Sequence, residues 1–81
     1  MKITIKLFAS IRDICGFEEK EMTLPDSSTV DELINILELE HRKLAGKRSS
    51  ILIAVNEEYS TEGRILNNRD VVALFPPVSG G

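Results

Sequence analysis

The stretch Asp70-Val71-Val72-Ala73-Leu74-Phe75-Pro76-Pro77-Val78-Ser79-Gly80-Gly81 decides how the rest of the chain is read. Val71 to Leu74 is apolar and rich in branched residues, which predicts a buried strand. Pro76 and Pro77 stop that strand, because neither can donate a ladder hydrogen bond and each forces an extended backbone on its predecessor. Beyond this collar, Val78 to Gly81 is a thin tip. Gly80 and Gly81 carry no Cβ, so a foreign backbone or a nucleotide can approach them closely. An extended chain from Val78 onward reaches roughly 13 Å, at about 3.3–3.6 Å per residue. A terminal carboxylate there is ionised and unreactive at neutral pH, so using it chemically requires activation as an acyl phosphate or acyl-adenylate. Composition alone reads the tip as a frayed terminus.

Working outward, the 81 residues form one domain, near the lower end of sizes that fold unaided. Residues 1–75 are read as its body and 76–81 as an extended tail. Apolar residues make up 42%, enough for one modest core. The net charge of −3 and sequence pI near 5.1 argue against non-specific nucleic-acid binding. No apolar run approaches the ~20 residues of a membrane span, and the N-terminal residues alternate where a signal peptide would be continuously apolar. The single cysteine, Cys15, excludes an internal disulfide and a CxxC metal clip. It is read as a small buried hydrophobe. A soluble, cytoplasmic protein is expected.

Lys2 to Leu7 alternates polar and apolar residues and predicts a first strand, which Phe8-Ala9 is expected to extend. Ile11 and Ile14 suggest a short helical turn closed by Gly16, with Arg12 and Asp13 facing water. Phe17 to Leu24 reads as a second strand and Pro25 to Ser28 as a loop. Thr29 and Glu32 have the spacing of a capping box, and Val30, Leu33, Ile34 and Leu37 form one apolar stripe, so a helix starts here. Leu44 and Ala45 suggest a second short helix, stopped at Gly46. Arg42, Lys43, Lys47 and Arg48 read as solvated charge near a helix C-terminus. His41 has no partner at metal-ligand or catalytic spacing. Ile51 to Val55 is apolar throughout, as in a strand buried on both sides or at a sheet centre. Asn56-Glu57-Glu58 predicts a turn into a short strand at Tyr59-Ser60, and Thr61 to Arg69 is irregular.

Strand, strand, helix, strand, short strand, strand predicts an α+β fold with a helix packed across one face of a mixed sheet. In a β-grasp arrangement the first and last strands lie side by side and parallel, joined by a right-handed crossover. The tail would then leave the middle of the sheet's end.

At this point the residues resemble a known family, the small sulfur-carrying subunit of molybdopterin synthase, one of the ubiquitin-like β-grasp proteins. The resemblance covers nearly the whole chain. It includes Phe8-Ala9 with Arg12 and Gly16, the Thr29-Val30 helix start with Leu33, Ala54-Val55-Asn56, Leu66, and the ending from Asp70 to Gly81. The Phe75-Pro76-Pro77-Val78-Ser79-Gly80-Gly81 ending is the specific part, and it displaces the frayed-terminus reading.

The resemblance implies a defined chemistry for Gly81. A ubiquitin-activating-type adenylyltransferase would convert its carboxylate to an acyl-adenylate with ATP. A cysteine desulfurase or rhodanese-like donor would then supply persulfide sulfur, giving a thiocarboxylate. Pro76, Pro77, Val78, Ser79 and Gly80 would thread this group into a separate large subunit, which delivers the sulfur to cyclic pyranopterin monophosphate and so builds the molybdopterin dithiolene. The family assembles as a heterotetramer. No cofactor is bound stably, no metal is implied, and ATP is used only by the activating enzyme. Neither nucleic acid nor membrane is a partner. Phe8, Arg12, Tyr59 and Phe75 match partner-binding positions, although Tyr59 replaces the usual aliphatic residue. Ordinary core packing is the alternative for each aromatic.

Three rival readings stand beside this one. A carrier for thiamine thiazole synthesis shares the fold and the Gly-Gly end, but Pro76-Pro77 argues against it. A protein modifier ending in an isopeptide bond would use the same activated terminus. A β-grasp interaction module would do no chemistry at all and should tolerate loss of Gly81.

Overall fold

A computed structural model of the chain describes residues 1–77. Its elements in chain order are strand β1 (Lys2–Leu7), helix α1 (Ala9–Cys15), β2 (Glu19–Thr23), helix α2 (Val30–Glu40), a 3₁₀ segment (Arg42–Ser50), β3 (Leu52–Val55), β4 (Glu58–Ser60) and β5 (Val71–Phe75). One five-stranded sheet results, in the order β2-β1-β5-β3-β4. β1 and β5 are parallel, with Thr4 opposite Val71 and Leu7 opposite Leu74. The other pairings are antiparallel. The mixed sheet and the central position of β5 are as the sequence predicts. β3 is an interior strand between β5 and the edge strand β4, and its consecutive residues Ile53, Ala54 and Val55 are all buried, as its unbroken apolar run predicts.

Strand alternation divides the sheet into a covered and an open face. Ile3, Ile5, Leu7, Ile53, Val55, Val72 and Leu74 point to the covered face, where they pack with Val30, Leu33, Ile34 and Leu37 of α2 in one core. Fully burying each such aliphatic side chain contributes about 1.5–3 kcal/mol. The capping box forms as its spacing predicts. Thr29 Oγ1 accepts from the Glu32 amide at 3.3 Å, and Glu32 Oε1 accepts from the Thr29 amide at 3.4 Å.

Two details at the ends of elements differ from the sequence reading. Phe8 keeps an extended backbone and donates its amide to the Leu74 carbonyl at 3.2 Å, but Ala9 turns into the left-handed region with φ of 50°. The chain thus leaves the sheet at Ala9 rather than beyond it. Gly16, with φ of 79°, closes α1 as expected and donates its amide to the Arg12 carbonyl. Gly46 closes nothing: the 3₁₀ segment runs through it, anchored by the fully buried Leu44.

Asn56 and Glu57, with φ of 51° and 69°, form the two-residue turn between β3 and β4. Asn56 also fixes the start of β5. Its Nδ2 donates to Asp70 Oδ1 at 2.9 Å, and its Oδ1 accepts from the Val71 amide at 3.0 Å. Asp70, only 7% exposed, accepts the Asn67 amide on its other oxygen. Each oxygen of this buried side chain thereby has a hydrogen-bond partner, and the strand that carries the tail has a set origin.

Candidate functional site

β5 places its residues alternately on the two faces. Val72 and Leu74 enter the core, whereas Val71, Ala73 and Phe75 lie on the open face. The register sets Leu52 opposite Phe75, and Ala54 opposite both Ala73 and Tyr59. An apolar surface therefore spans β5, β3 and β4. Phe8, still extended and bonded to the Leu74 carbonyl, continues the open face of β1 two residues beyond Lys6 and adds its ring from the other side.

Phe75 sits between the other two aromatic residues. The Phe8 ring meets it edge-on, with centroids 6.1 Å apart and planes at 86°. The Tyr59 ring is 6.0 Å away on the other side, tilted by 58°. Phe8 is 47% exposed and Tyr59 is 77% exposed, which excludes core packing for both. Phe8, Ala9, Ala73, Phe75, Pro76 and Pro77 line a shallow depression of about 550 Å³. A contiguous apolar surface bordered by charges is the mark of a docking site. Lys6, Glu18 and Glu19 stand beside Phe8, and Glu57 stands beside Ala73, so charged residues form that border.

The other sequence-predicted residues take separate places. Arg12 lies one turn along α1 from Phe8, its amide donating to the Phe8 carbonyl. Its guanidinium lies near Asp13 and Glu18, at 3.7 and 3.6 Å, in a polar depression outside the aromatic group. Pro76 and Pro77 follow β5 directly. Val78, Ser79, Gly80 and Gly81 lie outside the described residues. Cys15 is buried, and burial pushes its thiol pKa up, with Glu40 adding to the rise and Lys20 opposing it. A thiol so protonated is a poor nucleophile. His41 ends α2, its ring 6.3 Å from that of Phe17. Among the described residues no group of His, Cys, Asp and Glu could hold a metal ion, and no helix is long and apolar enough to cross a membrane.

The sequence reading missed Arg48. It is not solvated charge; its side chain is only 20% exposed and gathers three carboxylates. Nη1 donates to Glu38 at 2.6 Å and to Asn35 at 2.5 Å, while Nη2 donates to Glu62 at 2.9 Å and also to Asp31. Desolvation pulls the guanidinium pKa down, but Glu62 and Glu38 outweigh it, so the net direction is up. The spacing of Asp31, Asn35 and Glu38 on one helix face was a signal for this site; the partner cation and Glu62 come from distant chain.

A second depression, of about 320 Å³, lies on the other side of the proline collar. Ser10, Ile11, Gly46, Lys47, Ser50, Ile51, Pro76 and Pro77 line it. The collar is thus flanked by an apolar surface and by a polar groove.

The sequence profile of the ThiS family matches residues 5–81. The molybdopterin synthase sulfur carrier subunit of Arabidopsis thaliana is 36% identical over 81 residues, spanning 100% of this chain and 84% of that protein. A solved structure described as subunit 1 of a molybdopterin converting factor, from Pyrococcus furiosus, superposes with a TM-score of 0.87 at 32% identity, over 96% of this chain and 99% of that one. The structure of SAMP1 from Haloferax volcanii does so with a TM-score of 0.87 at 27% identity, over 100% of both chains. The chain belongs to the ThiS family, together with molybdopterin synthase sulfur carriers, and its body is a ubiquitin-like β-grasp domain.

Proposed function

We propose that this chain is the sulfur carrier subunit of a molybdopterin synthase. The observation that supports this most is the aromatic surface of Phe8, Phe75 and Tyr59 beside the proline collar, on a central strand that leads straight to Gly80-Gly81. In this reading the Gly81 carboxylate attacks the α-phosphate of ATP on an activating enzyme, forming the acyl-adenylate and releasing pyrophosphate. A donor persulfide then attacks the acyl carbon and displaces AMP. Reduction of the acyl disulfide by a further thiol leaves the thiocarboxylate.

The aromatic surface docks the carrier on a large subunit, two carriers to a large-subunit dimer, with Arg12 as a polar contact at its margin. Pro76 and Pro77 stiffen the approach, and the glycines admit the tip to the large subunit's active site. There the thiocarboxylate, a better nucleophile than a carboxylate, donates sulfur to cyclic pyranopterin monophosphate. The large subunit supplies most of the catalytic groups. The reaction belongs to the reducing cytoplasm, where persulfide donors operate.

The deciding measurement is the intact mass of the protein isolated from cells that contain its activating enzyme and sulfur donor. Replacement of one oxygen by sulfur at Gly81, lost on deleting that residue, is the expected result. Conversion of cyclic pyranopterin monophosphate by the thiocarboxylated protein with a large subunit completes the test. A tip that stays a plain carboxylate overturns the reading.

The full-length likeness to SAMP1, an archaeal modifier by its name, favours a second reading. The same adenylate attacked by a lysine amine gives an isopeptide bond. Peptide mapping that finds Gly81 joined to lysines of other proteins supports this use.

A further inference from the structure

β3 and β5 run antiparallel, with Leu52 opposite Phe75. The residues that enter β3 therefore lie beside those that leave β5, and Ser50 and Ile51 line one groove with Pro76 and Pro77. Lys47 lines the same groove. Its place is fixed on both sides, because Leu44 is fully buried and Arg48 is held by Asp31, Glu38 and Glu62. Lys47 itself is exposed and enters no ion pair among the described residues. From Ser50 back to Lys47 the 3₁₀ segment rises only about 6 Å, at ~2.0 Å per residue. Four residues follow Pro77 in the sequence, and four extended residues reach roughly 13 Å. The last two are glycines, whose backbone reverses direction without a Cβ penalty. The tip thus has chain to spare for reaching Lys47. The other amines stand elsewhere. Lys2 is paired with Glu21, Lys20 lies over the Phe17 ring, and the amino terminus donates to the Leu24 carbonyl. Lys6 lies on the open face opposite Ala73, and Lys43 is four residues further back along the 3₁₀ segment.

We propose that Lys47 is an internal acceptor for the chain's own activated tail, closing an amide between its side-chain amine and Gly81. The adenylate on which this rests comes from the sulfur-carrier reading. The neutral amine of Lys47 attacks the acyl carbon of the Gly81 adenylate. A C–N bond forms, the C–O bond to the phosphate breaks, and AMP leaves with the electron pair. The extra proton on nitrogen passes to water. No oxidant or reductant is needed. Tethering holds the amine at a millimolar effective concentration, about a hundredfold above that of other copies at about 10 μM protein. Donor persulfide and Lys47 therefore compete for one acyl carbon. With sulfur at hand the tail becomes a thiocarboxylate; without it the chain closes on itself and its end is withdrawn from further loading.

A water-soluble carbodiimide activates carboxylates without any enzyme and so tests the juxtaposition directly. Peptide mapping of the treated wild-type monomer should find Lys47 joined to Gly81 with loss of one water. Lys47→Arg keeps the charge but removes the amine, so the linkage disappears, whereas Lys43→Arg retains it. Both positions are exposed, and an unchanged melting temperature verifies the fold of each variant. Gly81 joined to Lys6 or to a second copy in place of Lys47 overturns the assignment. The purified activating enzyme of the source organism, given ATP and no sulfur donor, should yield the same closed product, and adding the donor should suppress it. Closure with carbodiimide but none on the enzyme overturns the proposal, since the adenylate is then shielded from Lys47. A closed fraction that ignores the donor overturns the competition. If wild-type protein elicits no pyrophosphate release at all, the sulfur-carrier reading itself fails and the proposal falls with it, even where carbodiimide joins the two residues.

Discussion

Replacing Arg48 with methionine keeps the aliphatic stem and removes the one cation among Asp31, Glu38 and Glu62. The magnitude follows from the exposure of each partner. Asp31 and Glu62 are 48% and 46% exposed, so each ion pair is largely hydrated and contributes about 0.5 kcal/mol. Glu38 is 17% exposed, and with Asn35 it shares Nη1, a more sheltered and charge-assisted contact of about 1–1.5 kcal/mol. Loss of the arginine also leaves Glu38 partly buried beside two like charges. The sum is a loss of about 2–3 kcal/mol, or roughly 10–20 °C in melting temperature for a domain of this size. Urea unfolding at 25 °C measures it. A double-mutant cycle with Glu38→Gln should return a coupling of about 1 kcal/mol, and added salt should shrink the loss only in part. A loss below about 0.5 kcal/mol, abolished by salt, would show that the site is an ordinary surface ion pair. The reasoning about its sheltered geometry would then be wrong.

Phe75→Ala should leave the fold intact, because Phe75 lies on the open face, and should weaken large-subunit binding by about 2 kcal/mol, near thirtyfold, by calorimetric titration; unaltered affinity would remove the aromatic surface from the interface. Glu57→Gly relieves a left-handed φ of 69° at the hairpin turn and should stabilise the protein by about 0.5–1 kcal/mol, read from the urea midpoint. For Cys15, burial raises the thiol pKa in the folded chain above its unfolded value, so its contribution is complete below the unfolded pKa and is lost as pH rises through the folded one. Wild type should match Cys15→Ala in pH dependence up to about pH 8.5 and lose stability relative to it above; parallel curves to pH 10 would contradict the burial argument.

Much of the architecture was legible because it is local. The Thr29–Glu32 capping box, the stripe from Val30 to Leu37 and the alternation of β1 state their structure within a few residues. β5 was legible because two prolines mark its end. What escaped depends on encounters between distant segments. Asp31, Asn35 and Glu38 announce a polar helix face, but nothing in their spacing names Arg48 or Glu62 as partners. Gly46 reads as a stop until Leu44 is seen buried, since tertiary burial outweighs a weak local preference. The left-handed Ala9 violates the usual residue preference and has no sequence signal. It ends the sheet edge directly after Phe8, whose place on the aromatic surface follows from alternation with Lys6. Arg12 was expected among partner-binding residues, and its placement outside the aromatic group could be seen only once α1 was oriented.

The parallel pairing of β1 with β5 has a consequence for the order in which the molecule becomes complete. These strands come from opposite ends of the chain, and closing so long a loop makes their pairing a slow, late event in folding. Until β5 inserts, the sheet is split into β1-β2 and β3-β4 hairpins, each with a raw edge and half a core. A nascent or clipped chain that lacks Val71 to Phe75 therefore lacks a stable body as well as a tail. Such a chain exposes unpaired strand edges and apolar surface to proteases. Foldedness and possession of the segment after β5 are thereby tied to the same five residues.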